Sequence, residues 1–416
     1  MEFKMKTKFT KLLSILLIIC MAAALTACAQ TAAQQESTAA PSDTQTEVPA
    51  QKEEEASVPE ETVSETADED VDGELILDHE EELQYASKFT LTYYKGGYRI
   101  FTIPEAMGDT QYLLVPEGKS VPAELPENTV VLQQPLTRIA SAVTAGVSLI
   151  DAIDGLDNIA AVATKHEDWY LENVSAKMAA DEIKYMGSFS EPDFELLLEL
   201  GVQVEFDSTM MLNKPEVMAK YEEIGIPCIV DYSSKEEHLL GRVEWIKLYG
   251  SVIGMEEEAA AYFDAQVEKV KQISDLGETG KTAVMYYKSS DTYYLRNAAD
   301  YVVSMLNLAG GASIAPEIGP EKGGSTKMNA EELYAACKDA DYIFQVVMKC
   351  PYTTIEEMIE YDGIFADFKA VKEGHVYTTI PGFSQSNAIL ADVVVEINSV
   401  LNDPTIEATQ NLVQIK

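Results

Sequence analysis

The sequence predicts an α/β protein made of two Rossmann-like lobes joined by one long α-helix. Three observations lead there. Short apolar strands alternate with amphipathic helices through residues 130–235, and again through 281–404. Between these stretches, residues 236–274 keep a helical period almost without a break. One local unit also recurs: "FELLLELGVQVEF" and "AEELYAACKDADYIF" each read as an acidic-faced helix running into an apolar strand.

The chain opens with Lys4, Lys6, Lys8 and Lys11, then an apolar run from Leu12 to Ala24, then Leu25-Thr26-Ala27-Cys28. A basic start, a short apolar segment and small residues before the cut predict a secretory signal peptide over 1–27. The run is short for a membrane span. Its ending resembles a bacterial lipobox, which makes Cys28 a lipid anchor on the outer face of the cytoplasmic membrane. Residues 29–72 contain thirteen acids, one Lys, and no Leu, Ile, Met, Phe, Tyr or Trp. Such a segment has no apolar surface to offset its ordering entropy, so 28–74 is expected to be a disordered acidic tether. Across all 416 residues, 70 acids against 30 bases give a formal charge of −40. That excludes nucleic acid and anionic lipid as partners, since both need a basic face.

The remaining elements follow in order. "KFTLTYYKGGYRIFTI" (88–103) alternates around Gly96-Gly97 and predicts a hairpin, with "TQYLLVPEG" as a third strand. "TRIASAV" extends, "GVSLIDAIDGL" is helical and "NIAAVAT" extends. In "SFSEPDFELLLELGVQVEF", Ser190 and Asp193 suggest a capping box. Phe194, Leu197, Leu198 and Leu200 form an apolar face, and Gly201 closes the helix. "KPEVMAKYEEIG" is the next helix and "IPCIVDY" the next strand, which implies a mostly parallel sheet covered on both faces. The helical stretch that follows breaks near Gly250 and Gly254, and its second part is about 30 Å long at 1.5 Å per residue. The rhythm restarts at "KTAVMYY" and continues to the final helix "ILADVVVEINSVLND". The resulting division is a first lobe at 75–252, a joining helix at 253–276 and a second lobe at 277–416.

Seven segments in this order carry a resemblance: "TRIASAVTAGVSLIDAIDGLDNIAAV", "MGSFSEPDFELLLEL", "YEEIGIPCIVDY", "LYGSVIGMEEEAAAYFDAQ", "MLNLAGGASIA", "MNAEELYAACKDADYIF" and "FKAVKEGHVYTT". Together they resemble the substrate-binding lipoproteins of ABC importers for iron–siderophore complexes, haem and corrinoids. The resemblance covers roughly residues 130–404 and implies a ligand cleft between the lobes. It further implies a monomer that works with ABC permease and ATPase subunits. In that family an acid on top of each lobe pairs with arginines of the permease, and motif position assigns those roles to Glu195 and Glu331. No cofactor is implied beyond the lipid anchor, and the ligand is expected to be an iron or cobalt chelate, a ferric siderophore first and a corrinoid or haem next.

In open α/β sheets ligands lie beyond the carboxyl ends of the strands. The loops expected there hold Lys165, His166, Trp169, Tyr170, Met210 and Met211 in the first lobe. In the second they hold Lys288, Tyr293, Tyr294, Arg296, Lys349 and Tyr352, with Met348 and Phe383 beside them. Aromatics offer flat apolar walls and cations offer partners for carboxylates or phenolates, which suits a large anionic chelate. Of four histidines only His166 is placed to reach a metal in the cleft. Cys228, Cys337 and Cys350 show no zinc-like spacing. The sequence has no G-x-S-x-G, HExxH or P-loop motif, which argues against a lipoprotein hydrolase. A ligand-sensing surface lipoprotein with the same fold is the other reading; neighbouring permease or kinase genes would separate the two.

Overall fold

The computed structural model describes residues 74–347 and 350–416. Cys28, the signal peptide, most of the tether, Met348 and Lys349 lie outside the described residues. No helix among the described residues is long and apolar enough to cross a membrane.

The chain enters through a five-stranded sheet over residues 77–133. Thr90–Tyr94, Arg99–Thr102 and Gln111–Val115 form the expected antiparallel meander. Leu77–Glu80 adds an antiparallel strand at one edge, and Thr129–Gln133 pairs parallel at the other. Two buried carboxylates tie the entry to this sheet to the first lobe. Glu244 accepts hydrogen bonds from the backbone N–H of Gln84, Tyr85 and Ala86 at 2.8–2.9 Å. Glu236 accepts from those of Ser87 and Lys88 and from the Trp245 indole. Six otherwise unpaired donors are thereby satisfied, a link that no sequence pattern announces.

The first-lobe sheet is parallel throughout. Its strands lie side by side in the order Cys228–Asp231, Val204–Ser208, Ile139–Ser141, Ile159–Val162, Lys184–Tyr185. The helix before Val204 spans Phe194–Glu199 and ends where Gly201 takes φ +65°. Its cap is Asp193, whose side chain accepts from Leu196 N–H at 3.0 Å. Ser190 is not the cap, because it sits in the turn between the paired segments Gly187–Ser188 and Glu191–Pro192, and the helix starts only after Asp193. Leu197 is buried, whereas Leu198, expected on the same face, is 53% exposed.

A helix over Leu239–Ile253 runs unbroken through Gly250 and ends at Gly254, which has φ +74°. The joining helix, Glu256–Ser274, buries Ala259, Phe263, Gln266 and Val270. It packs along Leu239–Ile253 and along the C-terminal helix Leu390–Asn402, so it is braced rather than free-standing.

The second-lobe sheet is mixed. Thr282–Ser289, Tyr342–Gln345 and Val376–Thr379 are parallel. Thr292–Arg296, Ser325–Met328 and Leu412–Gln414 run antiparallel to their neighbours. The stretch read from sequence as a strand-end loop is therefore a hairpin, with Tyr287 opposite Tyr294 and Lys288 opposite Tyr293. Tyrosine and threonine favour pleated backbone, and Ser290 turns the chain with φ +53°.

Candidate functional site

The tyrosine hairpin projects past the parallel strands and walls a cavity of about 610 Å³. On one side of it Tyr286 stacks with Phe365 at 5.7 Å between ring centres, and Tyr293 meets Phe365 edge-on at 6.1 Å. Tyr352 and Tyr361 lean together at 5.8 Å. The floor is Gln345, whose amide donates to the hydroxyls of Tyr286 and Tyr352. Burial holds Tyr286 far above the ordinary phenol range and pushes Tyr352 up to about 12, so this wall is neutral.

Two cations enter the cavity. Lys288 Nζ lies 2.6 Å from Asp362 Oδ2 and about 5 Å from the ring centres of Tyr293 and Tyr361. Arg296 lies over Tyr287 at 5.2 Å. Its closest carboxylate oxygen is Asp300 Oδ1, 3.7 Å from Nη1, and its buried Nε has no acceptor. The buried hydroxyl of Tyr293 is likewise without a partner. An unpaired buried donor costs about 1–3 kcal/mol, more when charged, so these atoms are set out for an acceptor that a ligand would bring.

Tyr301, Phe383 and Ser384 also border a second cavity of about 120 Å³. It reaches the first-lobe strand ends at Ser208, Asp231 and Ser233 and the start of the helix Thr144–Asp151. The segment around Phe383 binds both lobes: Gln385 accepts from Tyr170 N–H at 2.9 Å and donates to the Asp168 carbonyl at 2.7 Å. The site is thus an interlobe cleft whose larger, aromatic part belongs to the second lobe.

Of the residues singled out from sequence, Lys288, Tyr293, Arg296, Tyr352 and Phe383 line this cleft together. The others are placed elsewhere. Tyr294 stacks on Tyr287 at 4.6 Å, outside the lining. Lys165 and His166 are exposed, and His166 Nε2 lies 3.2 Å from Ser175 Oγ. Trp169 is a core residue with its indole donating to the Thr164 carbonyl at 3.1 Å. Tyr170 stands at the edge of the cleft, its Cβ where a side chain on residue 382 would have to go, so that Gly382 has no room for one. Met211 is fully buried and Met210 is 56% exposed. Lys349 lies outside the described residues. Among the described residues no group of three His, Cys, Asp or Glu side chains could hold a metal ion. Sequence reasoning passed over Tyr301, Tyr361, Phe365 and Arg242, which stand on four separate elements with no shared motif.

Glu195 and Glu331 occupy equivalent places, each exposed in the first turn of its helix. In the second lobe Asn329 and Glu332 cap each other, with bonds of 2.9 and 2.8 Å, so Glu332 is occupied and Glu331 is not. Neither Glu195 nor Glu331 pairs with a cation among the described residues.

Comparison with known proteins agrees with this architecture. A family model described as periplasmic binding protein matches residues 139–381, more than half of the chain. An uncharacterized lipoprotein of Methanocaldococcus jannaschii is 26% identical over 348 residues, covering 77% of this chain and 81% of its own. Among solved structures, the periplasmic haem-binding protein HutB of Vibrio cholerae superposes with a TM-score of 0.54 at 13% identity, over 65% of this chain and 99% of its own. The petrobactin-binding protein YclQ of Bacillus subtilis gives 0.51 at 15% identity, over 64% and 92%. These two likenesses establish the fold.

Proposed function

The chain belongs to the periplasmic binding protein family, a family of binding proteins and not of enzymes, and from that premise we propose that it captures a metal chelate and hands it to an ABC permease. A ferric siderophore is the first choice of ligand, with a corrinoid or haem next. The observation that carries the reading is the aromatic cleft entered by Lys288 and Arg296. Apolar rings take the organic frame, and the two cations meet the negative charge of a ferric catecholate, hydroxamate or carboxylate shell. No His or Met stands among the described lining residues, which favours a chelate that brings its metal fully coordinated. Delivery would rest on Glu195 and Glu331, an exposed acid in the first turn of a matching helix on each lobe, which could orient the protein on a cationic permease face. Cys28 would hold the protein at the membrane surface.

Titration of the purified protein with ferric siderophores, haem and cobalamin tests this. Quenching of tryptophan fluorescence by a ferric siderophore, without a Soret shift or altered cobalt bands in the parallel titrations, is the expected result. Binding weaker than about 10 μM for all three, a free energy of only about −7 kcal/mol, would overturn it. Cys28→Ala should release the protein into the medium; retention in the membrane fraction would remove the anchor from the reading.

A further inference from the structure

Arg242 approaches the cleft from the helix Leu239–Ile253, away from every loop that the sequence marks. Its guanidinium carbon lies 3.6 Å from the centre of the Tyr301 ring. Nε donates to the Glu236 carbonyl at 3.2 Å and Nη2 to the Ser234 carbonyl at 2.7 Å, and Nη1 has no partner among the described residues. Arg296 and Tyr301 line the larger cavity together, so the two guanidinium groups are disposed around the same tyrosine. Two like charges held together in a partly buried site are unfavourable unless something negative joins them.

The neighbouring acids Asp300 and Asp231 supply part of that charge, but neither hydrogen-bonds to a guanidinium. Asp231 Oδ1 accepts from Ser233 N–H at 2.8 Å and Oδ2 from the Tyr249 hydroxyl at 2.6 Å. Asp300 Oδ1 accepts from Val302 N–H at 3.1 Å and Oδ2 from Gly324 N–H at 2.8 Å. Asp300 reaches Arg296 only at 3.7 Å. Beside Arg242 the smaller cavity, about 120 Å³, is lined by Ser208, Ser233, Ser234, Ser384 and Ser386, and by Asp231, whose two oxygens already accept hydrogen bonds. It is too small for a chelate and large enough for one oxyanion group. The buried Nε of Arg296, with no acceptor, marks the same need from the other side.

We infer that the inner end of the cleft is an oxyanion subsite, where Arg242 and Arg296 flank a carboxylate or phosphate pendant from the chelate. The inference rests on the metal-chelate reading and adds a requirement to it: the ligand carries a negative group apart from its metal centre. Guanidinium suits this because its planar fork can hold two oxygens of a carboxylate or phosphate at once.

The test is calorimetric titration of the full chain with three ferric trihydroxamates of one skeleton, ending in a free carboxylate, a phosphate monoester or a methyl ester. At least one anionic form should bind about tenfold or more tighter than the ester, and the tighter of the two identifies the oxyanion. In Arg242→Gln and in Arg296→Gln the anion-to-ester ratio should fall to about one. Arg242 also holds two backbone carbonyls, so a folding defect would weaken all three chelates alike and leave the ratio intact; an unchanged ratio in both variants overturns the subsite. Equal binding of the three forms by the native protein overturns the subsite and leaves the chelate reading standing. Binding of none of them overturns the subsite as stated, and the chelate reading falls with it only if the siderophore, haem and cobalamin titrations fail as well.

Discussion

In the first lobe the strand Val204–Ser208 follows an acid-bearing helix and buries Glu205 and Asp207. In the second lobe the strand Tyr342–Gln345 follows the matching helix and buries Gln345. The first-lobe acids are sealed in. Glu205 Oε2 accepts from the Cys228 thiol at 3.0 Å, while Glu205 Oε1, Asp207 Oδ2 and the Tyr221 hydroxyl have no partner. Burial pushes Asp207 up to about 7 and Glu205 well above the usual carboxylate range. Gln345 instead opens onto the cavity and orients two tyrosines there. One helix–strand unit therefore serves two ends, and the strand beside it decides which. In the first lobe that neighbour is Cys228–Asp231; in the second it is the tyrosine hairpin.

The largest effect that could break this comparison concerns what the lobes share. If both units present a docking acid, Glu195→Lys with Glu331→Lys should reduce chelate uptake by cells to background while the purified protein keeps its affinity within about twofold. Equal loss of affinity would place these acids in the cleft or the fold instead.

The next effect separates the lobes. Trp169 belongs to the first-lobe core, so Trp169→Ala should cost roughly 3–5 kcal/mol in denaturant unfolding. Chelate affinity, measured on the folded fraction, should stay within about twofold. A selective loss of affinity at unchanged stability would return Trp169 to the site.

The sealed acids give a pH signature. Glu205 and Asp207 both hold their protons more tightly when folded, so between about pH 4 and 7 the folded lobe keeps protons that the unfolded chain has released. Their contribution is most favourable below pH 4, and for Asp207 it is lost as pH rises to about 7, by about 1.4 kcal/mol per unit. Asp207→Asn removes that loss. Its stability relative to the native chain should therefore rise from about pH 4.5 to about pH 7.5, and parallel profiles would show that Asp207 is ionised in the fold.

The smallest effect sharpens the second-lobe half. Tyr361→Ala takes away one exposed wall of the cleft and one ring beside Lys288, so chelate affinity should fall three- to tenfold, about 0.7–1.4 kcal/mol. No change would move the ligand away from the Tyr361 wall.

Much of the fold was legible because its signals are local. The period of 3.6 marked Glu256–Ser274, and glycines at positive φ marked the ends at Gly201 and Gly254. The exposed places of Glu195 and Glu331 followed from the same periodicity. Other details were ambiguous for an equally local reason. Ser190 and Asp193 are both good caps, and only the bridge between Gly187–Ser188 and Glu191–Pro192 selects Asp193. A helical wheel places Leu198 near Leu197 but cannot say that nothing packs over it.

The site divides in the same way. Lys288, Tyr293, Arg296 and Tyr352 could be read as cleft-lining because one compositionally odd stretch and its neighbour bring aromatics and cations together. Trp169 and Met211 lie in the core instead of the cleft lining, because a strand-end loop can fold its apolar side chains back, and composition does not record direction. The sequence by itself determined the two α/β lobes, the helix between them and the acid on each, since these depend on neighbours a few residues apart. Only the tertiary structure decided the cleft. Gln345 meets Tyr286 across 59 residues of chain, and Arg242 meets Tyr301 across lobes. No period connects such residues; they come together because parallel strands bring their carboxyl ends to one side of the sheet.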